Sequence, residues 1–327
     1  MNDDQRMEAA ALDAVRRAAV VCRSVQAALV AESTLSKKDK SPVTVADFAS
    51  QAVVCAVLQE HLGAESVVGE EDSQELQSAD NSALRSQVVA QVRSALGRDT
   101  TESAVMHWID RGRGDARGGR YWTLDPIDGT KGFLRGEQYA IALALIEDGA
   151  VLFGVLGCPN LPHDGGAGAL FVAARGAGTR VLDLWNAEDR GRAIHVGRPA
   201  SARDARFCES VESGHSDQSE SAEIAARLGI TLEPYRIDSQ CKYACVARAD
   251  ADIYLRLPTR ADYREKIWDH AAGMIAVECA GGRVTDIDGR PLDFTHGRTL
   301  DKNRGIIATC GSLHDEVLEA VAAVIGA

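Results

Sequence analysis

The chain of 327 residues has few aromatic residues (5%), few prolines (8) and few methionines (4). Its longest apolar runs, such as residues 52–58 and 140–146, fall far short of the roughly 20 residues that cross a bilayer. Basic residues are outnumbered, 36 Lys and Arg against 48 Asp and Glu, which gives a formal net charge of −12. A chain this acidic is poorly suited to neutralising nucleic-acid phosphates. We therefore expect neither a nucleic-acid partner nor a membrane-spanning segment.

The eight cysteines are scattered and form no Cys-x-x-Cys pair, which argues against a zinc site or a disulfide framework. Most have apolar neighbours, so we predict buried free thiols. Cys241 and Cys245 lie one helical turn apart, and a redox role for them stays open. The first residues, Met1 to Asp4, are acidic where a targeting peptide would be basic. These features predict a soluble cytoplasmic protein, either a monomer or a weak oligomer.

Apolar residues make up 45% of the chain and are spread along it, which is enough for one large or two ordinary domains. Helical spacing predicts amphipathic helices over residues 7–31 and 82–97. Strand-like segments dominate from residue 121 to residue 173, and strands and helices alternate after about residue 190. We predict an α/β layered sandwich, with an α+β domain at 1–190 and an α/β domain at 191–327.

Carboxylates occur at three junctions where a predicted strand or loop meets a helix. Glu70 follows a short strand, Asp125 and Asp128 follow a second strand, and Asp269 precedes a helix. The two aspartates of the second junction can converge on one point, together with the backbone carbonyl of Ile127. Hard divalent cations prefer oxygen ligands of this kind. The pattern therefore predicts a metal site that joins distant parts of the chain.

The segment after Asp125 is suited to hold a phosphate beside such metals. Pro126 is expected to end the strand, and Gly129 permits the tight backbone before a helix that starts at Thr130. Backbone N–H groups at that helix start would bind a phosphate. Two or three Mg²⁺ ions would offset the acids, polarise the phosphorus and lower the pKa of a bound water. Metals would thus mediate between an acidic protein and an anionic substrate.

Each of these pieces has an ordinary interpretation when taken alone. Asp-x-x-Asp-Gly-Thr is a common turn, and the acids at 70–72 would form a solvated edge. Asp269 alone would be an acid favoured by the helix dipole. Asp47, three residues after Thr44, would complete a helix-capping box. It is their joint occurrence, in this order, that favours a metal-dependent phosphatase.

Three segments resemble the lithium-sensitive, magnesium-dependent phosphatase superfamily that includes inositol monophosphatase: Gly69–Glu71, Trp122–Thr130 and Trp268–Gly273. Within it, Thr130–Tyr139 is similar to the 3'(2'),5'-bisphosphate nucleotidase branch. The similarity extends from about Ser41 to Thr309. It implies an inositol monophosphatase-like fold and hydrolysis of adenosine 3',5'-bisphosphate (PAP) to AMP and phosphate. It also implies activity on 3'-phosphoadenosine 5'-phosphosulfate (PAPS).

The resemblance also implies roles for individual residues. Two to three Mg²⁺ ions would be held by Glu70, Asp125, the carbonyl of Ile127, Asp128 and Asp269. Thr130, with its hydroxyl oriented by Asp47, would position and deprotonate the attacking water. An alternative for Asp47 is that it only caps its helix.

A second set of residues is implied to bind the nucleotide. His215 would lie against the adenine, although an ordinary loop histidine is the alternative. Ser239, Lys242 and Arg256 would surround the 5'-phosphate, because a phosphate remote from the metals needs cations and donors of its own. The remaining substrate contacts would come from Asp128, Gly129 and Thr130.

Two rival functions stay open at this point. One is an inositol mono- or bisphosphate phosphatase with the same metal site. The other is a nucleotide sensor that binds its ligand without turnover. Loss of bisphosphate-nucleotide turnover on removal of Lys242 would separate a nucleotidase from the first rival, and phosphate release with Mg²⁺ would exclude the second.

Overall fold

The computed structural model describes residues 2–31, 41–211, 218–258, 260 and 262–326. Its helices are α1 (Asp3–Ala31), α2 (Ser41–Leu62), α3 (Ser82–Leu96), α4 (Glu102–Asp110), α5 (Thr130–Leu134), α6 (Gln218–Arg227), α7 (Cys241–Ala247), α8 (Ala271–Cys279) and α9 (His314–Ile325). Its strands are β1 (Val67–Gly69), β2 (Arg120–Asp128), β3 (Ala140–Glu147), β4 (Ala150–His163), β5 (Gly166–Ala174), β6 (Gly178–Asp183), β7 (Arg192–Ile194), β8 (Phe207–Glu209), β9 (Tyr235–Arg236), β10 (Ile253–Arg256), β11 (Arg283–Thr285) and β12 (Ile306–Thr309).

The first sheet contains β1 to β7 in chain order, and every pairing except that of β1 with β2 is antiparallel. The interior strand β3 is buried on both faces, which accounts for the uninterrupted apolar run at 140–146. Ile141, Leu143 and Leu145 belong to the core on one face. Alanines 140, 142 and 144 belong to the core on the other face, where small side chains let helices approach closely.

The layers follow from which helices cover each sheet. Helices α1 and α2 pack on one face of the first sheet, and α8 and α7 pack on the other. The second sheet, in the order β11-β12-β10-β8-β9, lies beyond α7 and α8. Helices α6 and α9 share a core with its outer face. The predicted α/β layered sandwich is confirmed.

Three local predictions need correction. Strand β7 pairs with β6 and so completes the first sheet, although the alternating pattern placed it in the second half. Alternation of elements does not specify which sheet a strand joins, and the proposed division at residue 190 stays a prediction. Helix α4 was not predicted at all. Helix α2 begins at Ser41, so Thr44 and Asp47 lie inside the helix and not at its N-cap.

The cysteines agree with the expectation of buried free thiols. All eight cysteines are free thiols, and seven of them are buried. Among the helices of the described ranges, none has both the length and the apolar character that a bilayer crossing requires.

Candidate active site

A cavity of about 300 Å³ lies where the end of β2, the loop after β1 and the start of α7 meet. It is lined by ten of the residues that the sequence analysis singled out: Glu70, Asp125, Ile127, Asp128, Gly129, Thr130, Ser239, Lys242, Arg256 and Asp269. The most distant of the four carboxylates, Glu70 and Asp269, are 199 positions apart in the chain. The fold thus brings the acidic and the basic candidates to one place.

The end of β2 places its two aspartates through an irregularity in the sheet. The prediction that the strand ends at Pro126 is wrong, because β2 continues to Asp128 with a register shift between Asp125 and Asp128. Proline has no N–H group, so the pairing with β3 is interrupted after Asp125 and resumes at Asp128. Ser50 Oγ donates to the Pro126 carbonyl at 3.0 Å, and Ile127 N donates to Asp125 Oδ1 at 3.0 Å. These bonds hold the irregular turn in shape.

Gly129 follows this turn with a positive φ, which residues with a side chain rarely adopt. Its φ is +89°, and a Cβ there would lie 2.7 Å from Ser239 Cβ. The close contact joins the end of β2 to Ser239, two residues before α7. Helix α5 then starts at Thr130, as predicted.

We expect Gly129→Ala to destabilise the fold by about 1–2 kcal/mol, because alanine is strained at positive φ. It should also impair phosphate release, because the new methyl group pushes Ser239 away from the cavity. Gly63→Ala is the matched control: its φ is +83°, but no atom lies within 4 Å of the added Cβ. Thermal unfolding should show that both variants are destabilised, whereas only Gly129→Ala should lose activity. Wild-type activity in Gly129→Ala would contradict this reading of the contact.

Glu70 extends from the loop after β1, which is fastened by a buried glutamine. Gln51 Nε2 donates to the carbonyls of Glu71 at 2.6 Å and of Ile109 at 2.7 Å. Its Oε1 accepts from Glu71 N at 3.1 Å. Helix α2 therefore fixes the backbone next to Glu70, and the sequence analysis did not find this role for Gln51.

Arg298 connects the same loop to the segment that carries Asp269. Its guanidinium donates to the carbonyl of Gly69 and, at 3.2 Å, to that of Gly112. The guanidinium carbon also lies 4.7 Å from the centroid of the Trp268 ring. One cation thus contacts the neighbours of two predicted metal ligands, Glu70 and Asp269.

Gln240 is a further residue that sequence reasoning missed. Its backbone N–H donates to Asp128 Oδ2 at 2.5 Å. Its buried side chain donates to the Trp268 carbonyl at 2.9 Å and accepts from Gly273 N at 3.0 Å. Its position between Ser239 and Cys241, inside a segment singled out for nucleotide recognition, was the only indication in the sequence.

The acidic end of the cavity is electrostatically unfavourable by itself. Asp125 is only 3% exposed, and burial raises its pKa well above the usual value. The charges of Glu70, Asp128 and Asp269 raise it further. Burial also raises the pKa of Asp269, although Arg256 opposes the shift. Like-charged oxygen donors around one space are the chemistry that suits a hard divalent cation.

A tighter acid and imidazole group lies beside the cavity. The ligand atoms of Glu265, Asp269 and His270 all lie within 4.8 Å of one another. Glu70, Asp125 and Asp128 belong to no group of that tightness within the described part of the chain. The four predicted ligands therefore share one cavity, and their joint coordination of a metal stays a prediction.

The predicted catalytic residues Thr130 and Asp47 differ in burial. Thr130 is exposed on the cavity wall, and its Oγ1 lies 3.5 Å from the Ile127 carbonyl. Asp47 is buried below the acids, and burial raises its pKa well above normal, with Glu71 and Glu70 adding to the shift. No hydrogen bond between Asp47 and Thr130 occurs among those of the described residues, so this pairing stays a prediction. His215 lies outside the described residues.

Basic residues line the same cavity. Lys242 is 5% exposed, and its Nζ lies 5.3 Å from the centroid of the Tyr254 ring. Burial lowers the pKa of this lysine, and the charge of Asp128 opposes the change. Arg256 reaches the cavity from β10, and Ser239 Oγ accepts from Cys241 N at 3.2 Å at the start of α7. Two cations and a hydroxyl thus face the acidic cluster.

Residues 3–325 match the model of the inositol monophosphatase family. The chain therefore belongs to this family, whose members generally depend on Mg²⁺. Solved structures agree on the fold: SuhB of Mycobacterium tuberculosis matches with a TM-score of 0.64 at 20% identity, covering 100% of this chain and 99% of that one. Inositol monophosphatase of Anabaena matches with a TM-score of 0.63 at 21% identity, covering 99% and 98%.

More similar relatives point to one branch of the family. The 3'(2'),5'-bisphosphate nucleotidase of Schizosaccharomyces pombe is 45% identical, over 96% of this chain and 94% of its own. The proteins of the same name from Oryza sativa and Dictyostelium discoideum are 45% and 41% identical. These matches cover 96% and 97% of this chain, and 92% and 96% of the two relatives.

Proposed function

We propose that this protein is a 3'(2'),5'-bisphosphate nucleotidase, which hydrolyses the 3'-phosphate of PAP to give AMP and phosphate. The observation that carries the proposal is a single cavity lined by two sets of charged residues. Glu70, Asp125 and Asp269 form its carboxylate end, Lys242 and Arg256 form its cationic end, and the two meet where Arg256 Nη2 lies 3.9 Å from Asp269 Oδ2. A substrate with two phosphates fits such a division, because each end suits one of them. The curated relatives at 41–45% identity support the same conclusion.

The cationic end would hold the 5'-phosphate. Lys242 supplies a compact charge, Arg256 supplies a planar set of N–H donors, and Ser239 adds a hydroxyl. Because Lys242 is buried, its charge acts in a poorly screened environment and discriminates strongly between bound groups. His215 would contact the adenine.

The carboxylate end would hold the phosphate that is cleaved. Glu70, Asp125, the Ile127 carbonyl, Asp128 and Asp269 would bind two to three Mg²⁺ ions, which polarise the phosphoryl oxygens and lower the pKa of the attacking water. Thr130, assisted by Asp47, would hold this water and take its proton. The water oxygen bonds to phosphorus as the bond from phosphorus to the ribose 3'-oxygen breaks. That oxygen leaves as an alkoxide and takes a proton from a solvent water, and the proton passed to Asp47 returns to the hydroxide so formed, without a covalent enzyme intermediate.

Finer points belong to the same proposal. PAPS would be a second substrate, because the sulfate of its 5'-group leaves the 3'-phosphate unchanged. The protein would act in the cytoplasm, as a monomer or a weak oligomer.

A phosphate-release panel tests the proposed function. The substrates are PAP, PAPS, 3'-AMP, inositol 1-phosphate and inositol 1,4-bisphosphate, each with Mg²⁺ and with a chelator. We expect release from PAP to be fastest and to cease with the chelator. Faster release from the inositol phosphates would replace the proposal by the rival phosphatase. Binding of PAP without release would favour a sensor, and full activity with the chelator would refute the metal site.

A further inference from the structure

Arg256 is held at the base of the cavity by a chain of buried hydrogen bonds. One carboxylate oxygen of Glu265, Oε2, lies 2.8 Å from Arg256 Nε and 3.0 Å from His270 Nε2. The other imidazole nitrogen, Nδ1 of His270, lies 2.8 Å from the hydroxyl of Tyr243. Glu265 is 6% exposed, His270 is fully buried and Tyr243 is 1% exposed. The chain therefore runs from the interior of α7 to the guanidinium at the cavity.

The contacts of Glu265 favour its ionised form. Burial would raise the pKa of Glu265, but the hydrogen bond of His270 and the charge of Arg256 outweigh it and lower the pKa to about 2. Glu265 is therefore a carboxylate that pairs with Arg256 and accepts a hydrogen bond from His270. A carboxylate can only accept, so His270 Nε2 donates to Glu265, and the neutral ring then accepts at Nδ1 from the Tyr243 hydroxyl.

The ion pair with Glu265 occupies the Nε side of the Arg256 guanidinium. Glu265 engages Nε, so the terminal nitrogens stay available to the cavity, where Nη2 lies 3.4 Å from the Tyr263 hydroxyl. The same Nη2 lies 3.9 Å from Asp269 Oδ2, a predicted metal ligand. Asp269 would become the nearest carboxylate partner if Glu265 were removed. A guanidinium paired with Asp269 would leave the second phosphate and compete with a cation.

We infer that Glu265 is a positioning residue for recognition of the second phosphate. It holds the guanidinium through Nε, so that Nη2 stays 3.9 Å from Asp269 instead of closing on it, and phosphate binding and metal binding use separate charges. The inference rests on the proposed function. Glu265, Asp269 and His270 do form a tight group, but Arg256 already neutralises Glu265 and His270 donates to it, which argues against a cation among them.

The test uses the full-length protein and the ratio of KM values for PAP and 3'-AMP, which lacks the second phosphate. Glu265→Met removes the acceptor at similar length, and Glu265→Gln retains a neutral acceptor. We expect Glu265→Met to raise the KM ratio about tenfold, the value of one charge-assisted hydrogen bond, and Glu265→Gln to raise it less. The half-saturating Mg²⁺ concentration should rise in Glu265→Met. In an Arg256→Met background, Glu265→Met should change the ratio no further.

Glu278→Met is the matched control, since Glu278 pairs with Arg175 at 2.5 Å outside the cavity, and it should change neither ratio nor Mg²⁺ requirement. The inference would be overturned if the two Glu265 variants raised the KM for both substrates equally. It would also be overturned if Glu265→Met changed the KM ratio further in the Arg256→Met background. Either result would assign Glu265 a purely structural role. If Glu265→Met does not fold, an unchanged ratio in a folded Glu265→Gln has the same consequence. Absence of PAP hydrolysis in the wild type would instead refute the proposed function.

Discussion

Asp125→Asn is expected to abolish most of the activity while stabilising the metal-free protein. Asp125 lines the acidic end of the cavity, and its carboxylate is the most deeply buried of the four predicted ligands. A catalytic metal contributes several kcal/mol to transition-state stabilisation, and about 4 kcal/mol corresponds to about a thousandfold in rate. We therefore expect kcat for PAP to fall about a thousandfold or more.

The gain in stability has a separate physical cause. Asn keeps the shape of the side chain and can still accept the hydrogen bond of Ile127 N, but it carries no charge into a site that already holds Glu70, Asp128 and Asp269. With a chelator present, thermal unfolding should occur about 2 °C or more above the wild type. A structural role would give the opposite sign, because loss of a structural group lowers the unfolding temperature.

Asp315→Asn is the control for this prediction. Asp315 pairs with Arg283 at 2.7 Å on the surface, with a side chain 84% exposed. Such pairs contribute little to stability. It should leave kcat and the unfolding temperature close to those of the wild type. A Tm drop in chelator-treated Asp125→Asn, or turnover within tenfold of the wild type, would count against the acidic end as the metal site.

Lys242→Met is expected to remove the preference for bisphosphate nucleotides. Met matches the length and the apolar stem of lysine, so contact with the Tyr254 ring is retained while the charge is lost. Loss of a buried charge from a phosphate site costs about 3 kcal/mol, or about a hundredfold in kcat/KM for PAP. The ratio of kcat/KM for PAP to that for 3'-AMP should fall by the same factor.

Lys302→Met provides the comparison, since Lys302 is an exposed lysine outside the cavity. It should change neither kcat/KM value. An inositol phosphatase would respond to Lys242→Met by less than about threefold with every substrate, which is the outcome that would reject the nucleotidase proposal.

The acidic segments show what local sequence can predict. Asp125, Asp128 and the glycine after them are adjacent in the chain, so their convergence depends mainly on local backbone geometry, and all of them line the cavity. Glu70 and Asp269 are distant, and residue spacing alone does not place them together. The resemblance to a phosphatase family supplied that step.

The supporting residues show where sequence reasoning ended. Gln51, Gln240 and Arg298 act through side-chain contacts with the backbone of other segments. Glu265 is four positions from Asp269, yet its partner Arg256 lies on strand β10. A polar residue looks the same in a sequence whether it is solvated or buried against a distant carbonyl. Such roles become visible only when the partners are in place.

By itself, the sequence determined the layered fold and the chemical character of the site, because hydrophobic periodicity and local turn residues are read within short segments. The tertiary structure alone decided that β2 continues past Pro126, that β7 joins the first sheet, and that a buried carboxylate directs Arg256. Strand pairing and buried ion pairs are contacts between separate segments of the chain. Their free energy depends on geometry that no local pattern contains.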